Sequence, residues 1–119
     1  LSIEEIMKDK IQCASEFARN YGVIVVLKGP KTVICDENDN IFVSSTGNVG
    51  MAKGGSGDVL AGIIGSLAAQ GISLLDAGIC GVFIHGLAGD LCKENYSSVS
   101  MTPTDIIRKL PEIFLNFGL

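Results

Sequence analysis

A chain of 119 residues supports one domain with one modest core, and 47% hydrophobic against 18% charged residues excludes a disordered chain. Nine basic and thirteen acidic residues leave a net charge of -4, with no run of lysine or arginine to track a phosphate backbone, so nucleic acid is not an expected partner. Cys13, Cys35, Cys80 and Cys92 lack C-x-x-C spacing and sit in apolar surroundings, which fits small buried hydrophobes in a reducing cytoplasm rather than a disulfide or zinc framework. The first residue is Leu1, and no signal-peptide succession follows it, so the chain is expected to be a fragment or processed piece. The most apolar region, Val59 to Leu75, is broken by Ser66, Gln70, Gly71 and Ser73. It falls short of the roughly 20 apolar residues of a spanning helix, and no membrane is expected.

The elements alternate. Ser2 and Glu5 spell a capping box, and Ile3, Ile6, Met7, Ala14, Phe17 and Ala18 recur at helical spacing until Asn20, Tyr21 and Gly22. "VIVVLK", residues 23–28, is a β-branched run without alternation, the pattern of a central strand covered on both faces of a parallel sheet. "TVICD" and "IFVSS" flank the polar cluster Glu37, Asn38, Asp39 and Asn40, which predicts a hairpin decorating that sheet. From Asp58 the positions Val59, Leu60, Ile63, Ile64, Leu67 and Ala68 follow helical spacing, with Gly71 as a stop. A further helix is predicted from about Leu74 to Leu91, and its glycines Gly78, Gly81, Gly86 and Gly89 imply close helix contacts. Thr102, Pro103 and Asp105 provide a cap, a first-turn proline and a first-turn acid for a C-terminal helix.

The stretch "STGNVGMAKGGSGDVLAGIIGSLAAQG", residues 45–71, carries the chemistry. A helix amino end presents unpaired N–H groups and about half a positive charge, so it holds an anion without any side chain. Gly54, Gly55, Ser56 and Gly57 can turn their amides inward, and the glycines, lacking Cβ atoms, admit a phosphoryl group to hydrogen-bonding distance. Asp58 sits just inside the same cradle. An ionised carboxylate repels phosphate, so its place there makes sense if it faces a substrate hydroxyl that loses its proton while attacking phosphorus. The pairing points to phosphoryl transfer to an alcohol. The loop lacks a G-K-[ST] ending and follows a hairpin, which rejects a Walker P-loop and a dinucleotide-binding unit. The alternative is an ordinary Gly-rich turn with a capping aspartate.

"VVLKGPKT", "TGNVGMAKGGSGDVLAGIIGSLAAQG" and "FIHGLAGD", in this order and separation, resemble the C-terminal half of the ADP- or ATP-dependent NAD(P)H-hydrate dehydratases of the ribokinase-like superfamily. The resemblance covers nearly all of residues 1–119. It implies an α/β fold of three layers, α/β/α, around a mostly parallel sheet, of which this chain is the C-terminal half. It implies a carbon-oxygen lyase of metabolite repair, which phosphorylates the ring hydroxyl of hydrated NADH or NADPH and lets phosphate depart. Mg2+ and ADP or ATP as phosphoryl donor would be required, and the bacterial spelling favours ADP. Matching the family's K-G-x-x-T places nucleotide contacts at Lys28, Gly29, Pro30, Lys31 and Thr32. The loop match adds Asn48, Gly54, Gly55, Ser56 and Gly57, and Asp58 matches the catalytic, substrate-contacting aspartate. Val49 and Lys53 depart from the usual proline and threonine. Lys53 is read as a solvated loop lysine or a charge near phosphate, His85 as a packing histidine rather than a base, Asp90 as a helix-end carboxylate and Met51 as loop packing.

The family's remaining substrate contacts lie in the N-terminal half, so this chain is not expected to complete the nicotinamide pocket. A half sheet leaves an exposed edge and an apolar face, which favours homo-oligomers or a partner segment. A fused or separate NAD(P)H-hydrate epimerase is a further partner implied by relatives. Two alternatives remain: a kinase of the same superfamily acting on a thiamine-precursor alcohol or a sugar, and a non-catalytic nucleotide-binding piece.

Overall fold

The computed structural model describes residues 2–118. It contains α1 (Ile3–Tyr21), β1 (Val25–Leu27), β2 (Val33–Cys35), β3 (Ile41–Val43), a 3-10 turn at Val49–Met51, α2 (Ser56–Ala69), α3 (Leu74–Asn95) and α4 (Pro103–Asn116). The capping box forms as expected at the start of α1. Ser2 Oγ accepts from Glu5 N at 3.2 Å and Glu5 Oε2 accepts from Ser2 N at 2.7 Å. Gly22 closes the helix at a φ of 61°, a left-handed conformation that suits glycine.

The hairpin also forms, with Val33 opposite Val43 and Cys35 opposite Ile41 in antiparallel register. Asp36 organises its turn, accepting from the amides of Asn38 and Asn40 and from Asn40 Nδ2. These bonds, the Asn40 side chain first, hold the Asp36 carboxyl below the usual carboxylate range. Asp39 takes the left-handed conformation in the turn, at a φ of 62°.

The expectation for residues 23–28 needs correction. Only Val25–Leu27 is strand, and among the described residues it pairs antiparallel with β2, at one end of a three-stranded sheet of order β1-β2-β3, and with no parallel neighbour. Among the described residues every strand pair is antiparallel. The missing alternation does reflect cover on both faces. Val25 and Leu27 pack with Ala14, Met7 and Ile11 of α1, whereas Ile24 and Val26 pack with Leu60 of α2 and Val82 of α3. An apolar run reports burial of two faces and is blind to the direction and number of neighbouring strands.

The helices α2 and α3 cross closely at Gly81, where a Cβ would lie 2.5 Å from Ile64 Cγ1. Ile63 of α2, Ile84, Ala88 and Cys92 of α3, Met101, and Ile106 and Ile113 of α4 form the main core cluster. The helix α3 extends past the expected end at Leu91 to Asn95. With a mean hydropathy of 1.4 it, and not Val59 to Leu75, is the segment long and apolar enough to cross a membrane, and 50% of that window is buried inside the fold. At α4, Thr102 Oγ1 accepts from Asp105 N, while Asp105 Oδ2 accepts from Thr102 N at 2.9 Å. The cysteines are free and divide: Cys35 and Cys92 are buried, but Cys13 and Cys80 are exposed. The helical period explains the split, since it turns Ala14 and Gly81 inward and leaves Cys13 and Cys80 on the outer flank.

Candidate functional site

The entry to α2 is made by Gly55, which stands at the N-cap with a φ of 95° and offers no side-chain cap to the first turn. Ser56 and Gly57 are therefore the first two helical residues, two positions earlier than the sequence pattern suggests, and Asp58 completes the first turn. A Cβ on Gly57 would lie 2.5 Å from Lys28 Nζ, so the Lys28 ammonium hangs directly over the bare backbone of the helix start. Amides, helix dipole and ammonium converge there, which is a cradle for an anion.

The cradle opens into a cleft of about 740 Å³. Lys28, Gly29, Pro30 and Thr32 line it from the β1–β2 loop, and Thr46, Gly47, Asn48 and Met51 from the loop before α2. Ala52 and Lys53, Ser56, Gly57 and Leu60 of α2, and Val82, His85 and Gly86 of α3 line the rest. Of the residues singled out in the sequence, Lys31, Gly54, Gly55 and Asp58 lie outside this lining. The Lys31 carbonyl accepts from Lys10 Nζ at 2.7 Å, which ties the loop to α1. Gly54 faces open space, and Gly55 abuts Pro103. The Asp58 side chain is exposed at the mouth of the helix, one residue beyond Gly57. A second cleft of about 470 Å³, lined by Val23, Ile24, Leu74 and neighbours, contains none of the singled-out residues.

Two residues, Asp90 and Thr46, do more than the sequence indicates. Asp90 is not a solvated helix end: it accepts from Gly47 N and from Asn48 Nδ2, each at 3.0 Å, and so anchors the glycine loop to α3. Thr46 Oγ1 donates to the Phe83 carbonyl at 3.1 Å, beside Gly86, where a Cβ would come within 2.7 Å of Thr46 Cβ. A Cβ on Gly89 would likewise meet Met51 Cγ at 2.7 Å, so Met51 packs into the helix groove as expected of loop packing. The available signal was the spacing in "HGLAGD", two glycines three apart followed by an acid, which puts a bare groove and a carboxylate on one helix face.

Lys53 is neither solvated nor directed at an anion, because its ammonium donates to the Val99 carbonyl at 2.7 Å and to the Met101 carbonyl. His85 is buried and its Nε2 lies 3.2 Å from Ser56 Oγ. Burial pushes the imidazole below its ordinary range, the Lys28 charge acts in the same direction, and the Ser56 contact opposes them. The imidazole is therefore neutral at neutral pH. Among the described residues, no group of three or more His, Cys, Asp or Glu is arranged to hold a metal ion. A cation in this cleft would depend on the oxygens of a bound phosphate chain.

The family model for NAD(P)H-hydrate dehydratase matches residues 1–112. The chain is 40% identical over 112 residues to the bifunctional NAD(P)H-hydrate repair enzyme Nnr of Escherichia coli (strain K12), covering 94% of this chain and 22% of that protein. It is also 40% identical over 94 residues to the ADP-dependent (S)-NAD(P)H-hydrate dehydratase of Neisseria meningitidis serogroup B, covering 79% of this chain and 32% of the relative. The chain thus spans between a fifth and a third of the length of these curated relatives. Its fold superposes on the ADP/ATP-dependent NAD(P)H-hydrate dehydratase of Bacillus subtilis co-crystallised with ATP/Mg2+ and soaked with CoA with a TM-score of 0.88, at 28% identity, over 98% of this chain and 43% of that one. The antiparallel hairpin sheet and its helices are thus part of a ribokinase-like fold, and the chain belongs to the NAD(P)H-hydrate dehydratase family.

Proposed function

We propose that the protein containing this chain dehydrates hydrated NADH and NADPH at the expense of an adenine nucleotide, and that residues 1–119 supply the C-terminal half of its domain. The observation that carries this reading is the cradle of left-handed Gly55, bare Gly57 and overhanging Lys28, with Asp58 one residue further along the first turn. The cradle fits a phosphate chain, since a Cβ on Gly57 would fill the space that the anion needs. Lys28, Gly29, Pro30, Thr32, Asn48, Ser56 and Gly57 would hold the nucleotide along the cleft. ADP or ATP would supply the phosphoryl group, and Mg2+ held on its phosphate oxygens would offset their charge. Asp58 would take the proton of the substrate hydroxyl as that oxygen bonds to the terminal phosphorus and the phosphoanhydride bond breaks to release the shortened nucleotide; the C–O bond then breaks with phosphate leaving, and a proton is lost from the adjacent ring carbon to restore the double bond. Asp58 is exposed in the first turn of α2, one residue beyond the cleft-lining Gly57, which suits a substrate arriving from outside the described residues.

The free thiols suit a reducing cytoplasm, which we propose as the location. The exposed Ile41, Phe42 and Val43 of the β3 edge support self-association, and a fused or separate epimerase is a further proposed partner. The test follows the return of reduced-nicotinamide absorbance when full-length protein is given hydrated NADH, Mg2+ and either ADP or ATP. Nucleotide-dependent recovery is expected, and the better nucleotide identifies the donor. Consumption of nucleotide on a thiamine-precursor alcohol or sugar without such recovery would replace this reading with an ordinary kinase.

A further inference from the structure

We propose that His85 is a positioning residue that turns the Ser56 hydroxyl into a hydrogen-bond donor for a phosphoryl group in the cleft. The proposal rests on the reading of the cleft as a nucleotide site. Its basis is the single contact between two buried side chains at the start of α2, His85 Nε2 to Ser56 Oγ at 3.2 Å, with both residues lining the cleft. A serine hydroxyl has one proton and two lone pairs. If Nε2–H donates to Oγ, the Ser56 proton is free to point into the cleft. If Oγ–H donates to Nε2 instead, Ser56 presents only lone pairs to the cleft, and these repel an anion.

A phosphoryl group bound at the start of α2 favours the first arrangement, because only that one offers it a proton. Ser56 is the first residue of α2, in the turn whose dipole favours an anion, and the Lys28 ammonium hangs over its neighbour Gly57. Burial, with the Lys28 charge acting in the same direction, keeps the ring neutral. Lys53 lines the cleft, but its charge is held by the Val99 and Met101 carbonyls. With 5% exposure at Ser56 and 8% at His85, little water competes for the bond, and the His85 tautomer sets its direction. A packing histidine would fill the same volume without dictating that direction.

The test uses full-length protein with Mg·ATP and Mg·ADP as probes and adenosine as the phosphate-free control. His85→Phe keeps the ring volume and removes the donor, and His85→Gln keeps an N–H donor. His85→Phe is expected to weaken nucleotide binding about tenfold, the order of a hydrogen bond to a charged group, while His85→Gln stays within about threefold of the parent. Adenosine affinity should be equal in all three. Undiminished nucleotide affinity in His85→Phe, or parallel losses for nucleotide and adenosine, overturns the proposal. The imidazole 15N spectrum of the unliganded parent, assigned through the signal lost in His85→Phe, should show the neutral Nε2–H tautomer, and the Nδ1–H tautomer overturns the proposal regardless of folding in the variants. If the parent binds neither nucleotide, the nucleotide reading of the cleft fails, and the tautomer alone then decides how His85 sets the Ser56 proton.

Discussion

Gly86→Ala and Gly65→Ala are the same substitution in two helix interiors, and the structure predicts opposite outcomes. At Gly65 nothing lies within 4 Å of an added Cβ, so only helix propensity changes, and stability should rise by about 0.8 to 1 kcal/mol. At Gly86 the added carbon would lie 2.7 Å from Thr46 Cβ and 2.8 Å from the Thr46 backbone carbon. Carbon pairs rest at about 3.5 to 4.0 Å, so the loop must retreat by the order of 1 Å. Overpacking of that kind costs about 1 to 3 kcal/mol, and the retreat also strains the Thr46 bond to the Phe83 carbonyl and the Asp90 bonds to Gly47 and Asn48. Setting the propensity gain against these terms leaves a net loss of about 2 kcal/mol. The two variants should therefore differ by roughly 3 kcal/mol in urea unfolding at unchanged m-value. Equal shifts, or a stabilised Gly86→Ala, would refute the account of α3 as a groove built for the glycine loop.

Asp58→Ala should abolish dehydratase turnover while calorimetry finds nucleotide affinity retained, and unchanged turnover would remove Asp58 from its catalytic role. Gly57→Val, which thrusts a side chain into the space under Lys28, should eliminate nucleotide binding; normal affinity would contradict the cradle. Lys53→Met should lower thermal stability by freeing the turn at Val99 to Met101, yet leave nucleotide affinity within about twofold, because that ammonium is already committed to carbonyls. His85 resists protonation in the fold, chiefly through burial and then through Lys28. Below about pH 6.5 the unfolded chain binds a proton that the folded chain does not, so this contribution to stability is present above that pH and is lost as the pH falls. Unfolding free energies of the parent and His85→Gln measured from neutral to mildly acidic pH should converge as the pH falls, and a constant gap would refute the shift.

Local chemistry was legible wherever a few adjacent residues decide the outcome. The box of Ser2 with Glu5 forms as its spacing predicts, the cap at Thr102 forms and gains a reciprocal bond from Asp105, and the polar turn at Glu37 to Asn40 forms with Asp36 as its acceptor. The glycine loop also announces itself, because only a backbone that must reverse and stay bare concentrates glycine before a helix. What escaped depends on partners far along the chain. The antiparallel pairing of β1 with β2 is set by which strand lies beside it, and no periodicity carries that information. The Asp90 anchor joins residues more than forty positions apart, and the Lys53 bonds reach the turn before α4. His85 could be read as packing because burial and positioning leave the same trace in a sequence.

The two sides of the cleft rest on different foundations. The β1–β2 loop is carried by the cluster of Ala14, Val33 and Cys35 with Leu27, whereas the loop at Met51 rests on the cluster of Ile84, Ala88 and Met101. Between them stands the patch of Ile34, Leu60 and Val82. A ligand gripped from both sides acts as a clasp across this join, so its affinity reappears as resistance to unfolding, about 2.7 kcal/mol at a hundredfold excess over Kd. Thermal shift with and without nucleotide would thus read the strength of the clasp, and would do so for variants too slow to assay by turnover.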